Sequence, residues 1–234
     1  MKLVIGGSSG FVGTELVRQA LNNPEITSIV GISRRPTVVP GGSEDKSAKL
    51  KSIVCDDFLN YPDSLKKELE DADACIWTIA VTPSKMKTTP WEEVVQVCRE
   101  YTLTALKTLA SVPRKQAGPV RFVYISGHFA PRDGAPIPKQ LAEFGLIQVA
   151  SMRGQLEAQI LEYSDQSNGA VVSCVAKPGM IKGPGMEVRV VPGLPEIQLH
   201  EIAACLLDQV VNGFEKDTLS NDDMVRIGQL HAAE

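Results

Sequence analysis

The 234 residues, 43% hydrophobic and 22% charged, are ordinary for a globular protein and enough to bury roughly 70% of the unfolded surface without staples. A formal net charge of −4 provides no basic field for nucleic acid or an anionic membrane, and no run approaches 18 apolar residues. The cysteines at 55, 75, 98, 174 and 205 form no C-x-x-C pair, and the three histidines are too widely spaced for zinc, so reduced buried thiols and no metal are expected.

Met1 and Lys2 lead directly into the first apolar run, so no signal peptide is expected and the reading is cytoplasmic. Residues 3–5 read as a strand, and 14–21 as a helix stopped by Asn22-Asn23-Pro24. A second strand covers 26–32. The polar segment 33–49, with Pro36, Pro40, Gly41 and Gly42, reads as a surface loop. A third strand is expected at 50–55, a helix at 65–69 and a fourth strand at 74–80. The longest helix is expected over 91–111, where Val94, Val95, Cys98, Leu106 and Leu109 recur at three- and four-residue steps.

A fifth strand at 120–126, a helix at 150–163 and a sixth strand at 171–176 continue the alternation. A helix over 199–211 stops at Asn212-Gly213, and 187–191 and 224–227 read as short edge strands. Strand–helix alternation predicts an α/β, Rossmann-like doubly wound, mostly parallel sheet covered on both faces. One domain is expected over 1–234, with 180–234 contributing a small substrate-facing cap. Ligands of such sheets sit beyond the carboxyl ends of the strands, so the residues after each strand are the candidates for function.

The first such exit carries Gly7-x-x-Gly10-x-x-Gly13. Gly7 allows a tight turn, Gly10 lets backbone approach a pyrophosphate, and Gly13 lets the helix pack closely. The helix N-terminus offers unpaired N–H groups to phosphates. Gly7, Ser8, Ser9, Gly10, Phe11, Val12 and Gly13 are therefore candidate cofactor-binding residues; the alternative is a plain tight turn in a flavodoxin-like fold.

Folds that prefer NAD place a carboxylate about 20 residues further on. Here those positions hold Ser33, Arg34 and Arg35. A ribose 2′-phosphate of about −1.5 to −2 charge suits guanidinium forks and would be repelled by an acid. NADP(H) is thus expected over NAD(H), against the alternative that two surface arginines merely solubilise a loop. After the third strand come Asp56, Asp57 and Phe58, where an acid accepts from the adenine amino group or Asp57 caps the next turn. The fourth strand leaves through Thr78, Ile79 and Ala80, small or apolar groups that let a cofactor lie against backbone.

GGSSGFVG at 6–13, SRR at 33–35, CDDF at 55–58, YISGHFAP at 124–131, MRGQLEAQI at 152–160 and AKPGMIKGPG at 176–185 stand in a characteristic order. Over about residues 1–185 the chain resembles the atypical short-chain dehydrogenase/reductase superfamily, in its NAD(P)-binding, NmrA/epimerase-like branch. The resemblance adds Pro178 and Met180 to the candidate cofactor residues and matches a catalytic serine to Ser126. It also implies a Tyr-x-x-x-Lys pair, which falls on Val149 and Arg153 when aligned on Gly154-Gln155-Leu156-Glu157. Val149 transfers no proton; Arg153 stays charged and holds a ribose without acting as a base.

Losing a positioned general acid forfeits about 10²–10⁴ in rate. His128, with Ser126 orienting the substrate, is the candidate donor, the alternative being a structural or solvent-facing histidine. Tyr124 is expected to point into the sheet and Tyr101 to pack within its helix. His128, Arg132, Met180 and Met186 suggest a rim for a sizeable, partly apolar small molecule. Three functions follow: an NADPH-dependent reductase of an activated ketone or conjugated enone, a non-redox isomerase, dehydratase or cyclase, or an NADP(H)-sensing binding protein without turnover. Family analogy points to secondary metabolism and to a homodimer through the helices at 91–111 and 150–163.

Overall fold

The computed structural model describes all residues except 87, 116, 133–134, 136–140, 143–144, 187–190 and 232–234. β1 (Lys2–Gly6) turns into α1 (Phe11–Asn22), followed by β2 (Ser28–Ser33), a 3₁₀ segment (Glu44–Lys49), β3 (Leu50–Val54), α2 (Asp63–Leu69) and β4 (Ala74–Trp77). Beyond α3 (Pro83–Met86), the expected long helix is one continuous run in three pieces: α4 (Trp91–Val95), a π turn (Gln96–Glu100) and α5 (Tyr101–Ser111). Then come β5 (Val120–Ile125), α6 (Ile147–Gln166), β6 (Val171–Ala176), β7 (Met180–Lys182), β8 (Glu196–Gln198), α7 (Leu199–Asn212), β9 (Thr218–Leu219) and α8 (Asn221–His231).

Seven strands lie in the order β3-β2-β1-β4-β5-β6-β9, and each adjoining pair is parallel. Ile5 pairs with Gly31 of β2 on one side and Ile76 of β4 on the other. Strand order reverses at this β1/β4 boundary, which opens a crevice at the carboxyl ends of both strands. Alternation along β1 explains the layers. Leu3 and Ile5 point to the face covered by α1, α7 and α8, with Leu16, Leu206 and Met224; Val4 points to the face covered by α5 and α6, with Leu106 and Leu156.

Local signals set the ends of the helices. α1 buries Leu16, Val17, Ala20 and Leu21 at helical spacing and ends at Asn23. In α7, Glu201 accepts the Gln198 N–H at 3.0 Å at the start, and Gly213 adopts φ 107° after the end. Two expectations need correction. Residues 224–227 are not an edge strand; they lie in α8, where Met224 and Ile227 are buried at an i, i+3 step. Four residues fit both periods, and packing on α7 selects the helix. The 33–49 segment is not wholly superficial either: Thr37 and Ser43 are buried, and its end forms the 3₁₀ segment.

The expected strand at 187–191 falls largely outside the described residues. Of 180–234, Met180, Ile181, Met186 and Leu194 reach the crevice, whereas α7 and α8 cover the sheet. All five cysteines are buried and unpaired, and burial pushes the Cys174 thiol up to about 12. Among the described residues no helix is long and apolar enough to cross a membrane.

One close backbone approach lies under the glycine turn. A Cβ on Gly13 would stand 2.1 Å from the Gly7 carbonyl oxygen. Gly13→Ala is expected to lower stability by about 1–3 kcal/mol through overpacking, read as a lower urea midpoint at unchanged slope. A wild-type midpoint would remove this account of the contact.

Candidate cofactor and active-site cleft

One cavity of about 1500 Å³ runs across the carboxyl ends of β1, β2, β4, β5 and β6. Its floor on one side is the glycine turn. Gly7 has φ 84°, and a Cβ there would lie 2.4 Å from Thr78 Oγ1, whose hydroxyl donates to the Gly6 carbonyl at 2.8 Å. The Gly10 N–H is taken by Gly7 at 2.9 Å, but α1 has no acceptor of its own for the N–H groups of Phe11, Val12 and Gly13. The first turn of α1 contains no acidic residue. Backbone donors, a helix N-terminus and no competing carboxylate form a cradle suited to phosphate.

Gly7, Ser9, Gly10, Phe11 and Val12 line this cavity, as do Thr78, Ile79, Ala80, Pro178 and Met180. Three expected cofactor residues do not. Gly13 presses against backbone, and the fully buried Ser8 hydroxyl points behind the turn, 2.6 Å from Thr37 Oγ1. Asp57 caps the following turn, accepting from the N–H groups of Leu59 and Asn60 at 2.8 and 3.3 Å. The capping alternative is the one realised, because the carboxylate reaches those donors locally.

Ser33, Arg34, Arg35, Asp56 and Phe58 line the opposite end of the cavity. Arg34 and Arg35 are exposed, and neither makes an ion pair or side-chain hydrogen bond among the described residues. Phe58 is buried beside Tyr101, ring centroids 5.3 Å apart. Tyr101 packs as expected of a helix residue, yet it also lines the cleft, which sequence periodicity did not reveal.

At the β5 exit, Ser126, His128, Val149 and Arg153 come together on the cavity wall. The Ser126 hydroxyl donates to the Glu157 carboxylate, so its one proton faces away from the cavity. Arg153 Nη1 donates to the Ser126 carbonyl at 3.2 Å, and its buried Nε has no partner among the described residues. Val149 is buried where the family resemblance implies a tyrosine. Tyr124 points into the sheet and is buried. The His128 N–H donates to the Pro178 carbonyl at 2.8 Å. Burial and the Lys177 charge hold the imidazole below the ordinary histidine value, with Asp222 partly opposing them.

Glu157 is the residue that sequence reading missed. It is fully buried, yet it receives Arg132 Nε at 2.6 Å and Lys177 Nζ at 2.8 Å. Lys177 also donates to the Ala130 carbonyl at 2.5 Å, and Arg132 Nη2 donates to Thr218 Oγ1 at 2.6 Å. Arg132, expected on the substrate rim, is thus held behind the wall by Glu157 and does not line the cavity. The available signal was a carboxylate at 157 between the core-facing Leu156 and Ile160. Removing Glu157 leaves two partly buried cations uncompensated. Glu157→Ala is expected to destabilise by about 3 kcal/mol, measured by chemical denaturation; a loss indistinguishable from a surface substitution would show that solvent satisfies Arg132 and Lys177.

No protein-family model matches the chain, and no curated protein matches it by sequence. Solved structures do match. The chain is similar to DesIV, a dTDP-glucose 4,6-dehydratase from Streptomyces venezuelae with NAD and TYD bound: TM-score 0.68, 13% identity, over 97% of this chain and 80% of that one. It is similar to MoeE5 in complex with UDP-glucuronic acid and NAD, with TM-score 0.65 and 16% identity over 93% and 74% of the two chains. Vestitone reductase from alfalfa (Medicago sativa L.) gives 0.60 and 18% over 89% and 72%. At these identities the likeness establishes architecture: this chain has the Rossmann-like fold found in DesIV, MoeE5 and vestitone reductase.

Proposed function

We propose that this chain is an NADP(H)-dependent reductase of a small organic molecule, built on the short-chain dehydrogenase/reductase plan without its Tyr-x-x-x-Lys pair. The observation that carries the reading is the pair Arg34 and Arg35. They stand exposed at the β2 exit, on the same cavity as the phosphate cradle, where a carboxylate would favour NAD. The fold likeness to NAD-bound structures supports dinucleotide binding in general, and the arginines favour the 2′-phosphorylated form.

The size of the cleft supports a second molecule. Sites for one drug-sized ligand occupy about 300–1,000 Å³, and this cavity measures about 1500 Å³. Its far side is lined by Val81, Met86, Leu146, Val149, Met180 and Met186. An uncharged, partly apolar acceptor such as an activated ketone or conjugated enone fits that chemistry.

NADPH, when bound, supplies a hydride, which carries two electrons to the acceptor. The chain's own groups do the rest. The α1 N-terminus and the glycine turn hold the pyrophosphate, Arg34 and Arg35 hold the 2′-phosphate, and Arg153 holds ribose hydroxyls. His128 delivers the proton to the reduced acceptor and recovers one from solvent. An activated acceptor demands less of that acid, which suits a site where valine occupies the tyrosine position.

Arg34→Ala with Arg35→Ala is expected to weaken NADPH binding at least tenfold, about 1.4 kcal/mol, while leaving NADH binding within about twofold, by calorimetry. Equal losses would remove the cofactor preference. Because the imidazole lies below the ordinary value near 6.5, it is mostly neutral at neutral pH. The reductive rate should therefore rise as pH falls through that lowered value and level off below it. His128→Gln should abolish this limb, and a retained limb would assign the proton elsewhere. A second reading, dinucleotide binding without turnover, is favoured by Val149 and by the inward-facing Ser126 proton; NADPH that binds but is not oxidised across enones, quinones and ketones would establish it.

A further inference from the structure

Three buried hydroxyls join the glycine turn to the arginine pair. Ser8, Ser33 and Thr37 are 0, 4 and 8% exposed. Ser33 Oγ donates to the Arg35 carbonyl at 2.7 Å, which commits its only proton. Ser8 Oγ donates to Ser33 Oγ over a longer 3.4 Å. Ser8 Oγ and Thr37 Oγ1 are 2.6 Å apart and share one hydrogen bond, in which either hydroxyl can be the donor. The hydroxyls therefore form one chain of contacts, from Thr37 through Ser8 and Ser33 to the backbone of Arg35.

The surrounding strands leave room for this relay and anchor it. A Cβ on Gly31 of β2 would stand 2.9 Å from Ser8 Oγ and 3.0 Å from Thr37 Oγ1. The Thr37 N–H donates to Ser52 Oγ of β3 at 2.8 Å, and the Ser33 carbonyl accepts the Cys55 N–H at 3.0 Å. The short loop bearing Arg34 and Arg35 is thus clamped at both ends. The arginine side chains have no hydrogen-bond or ion-pair partner among the described residues, so these backbone tethers decide where the guanidinium groups stand. Neither Ser8 nor Thr37 lines the cavity.

We propose that Thr37 is a positioning residue for cofactor selectivity: through Ser8 and Ser33 its hydroxyl fixes the loop that presents Arg34 and Arg35, and so sets the preference for NADPH over NADH without touching either. The inference rests on the reading that these arginines receive a 2′-phosphate. A residue that only supported the fold would affect both cofactors alike; this one acts on the phosphorylated form, because NADH has nothing for the arginines to hold.

The test is calorimetric titration of the full chain with NADPH and with NADH. Thr37→Val removes the hydroxyl and keeps the shape. It is expected to weaken NADPH about tenfold, the order of one buried hydrogen bond, with NADH within about twofold and Thr37→Ser restoring the ratio. Ser8→Ala interrupts the same relay and should move the ratio in the same direction, which keeps the proposal testable if Thr37→Val does not fold. A wild-type ratio in the folded variants, or equal loss for both cofactors, overturns it. The Arg34→Ala, Arg35→Ala protein separates the two failures. If it collapses the ratio while the hydroxyl variants do not, the relay is wrong and the cofactor reading stands; if it also leaves the ratio unchanged, the cofactor reading falls and takes the relay with it.

Discussion

The Gly7 carbonyl oxygen has no free space beside it, and the rest of the site follows from that. Its neighbour is the Cα of Gly13, and any side chain there would meet the oxygen at 2.1 Å. Close contact aims the first turn of α1 across the end of β1, so Phe11 and Val12 line the crevice at the β1/β4 reversal. Thr78 completes the arrangement, since its hydroxyl ties the β4 exit to Gly6. Without that approach the helix would stand off the sheet and its N–H groups would be spread.

Burial gives the charged groups of the cleft two different roles. Glu157 has no exposed surface, and its partners Arg132 and Lys177 are mostly buried, so each charge is matched within the wall. That cluster fixes Ser126 and the backbone through Ala130, which includes His128. Arg34 and Arg35 are exposed and unmatched among the described residues, which leaves their forks available to an anion. The same guanidinium chemistry is structural at position 132 and open to ligand at 34 and 35, because only the former faces a buried carboxylate.

The cleft wall at the β5 exit is largely apolar. Val149, Met86, Leu146 and Met180 all line it. An apolar wall excludes water and strengthens any remaining electrostatic contact. Burial and the Lys177 charge lower the proton affinity of His128 on the same cavity.

Much of the fold was written locally. Alternating apolar runs announced the parallel sheet, and Gly7, Gly10, Arg34 and Arg35 marked strand exits that line one cleft, because period, turn and charge are properties of neighbouring residues. Residues 224–227 defeated that method, since four apolar-rich residues satisfy both periods and packing on α7 decides. Ser8 and Asp57 lie on strand-exit loops, but the direction of each side chain depends on partners: Thr37 lies 29 residues from Ser8, and Leu59 only two from Asp57. Glu157 was invisible as a hub because Ser126, Arg132 and Lys177 lie 31, 25 and 20 residues from it. Sequence alone determined the layers and the chemistry at each strand exit; tertiary structure decided which hydroxyls and charges face one another, because those pairings exist only after distant strands have been brought side by side.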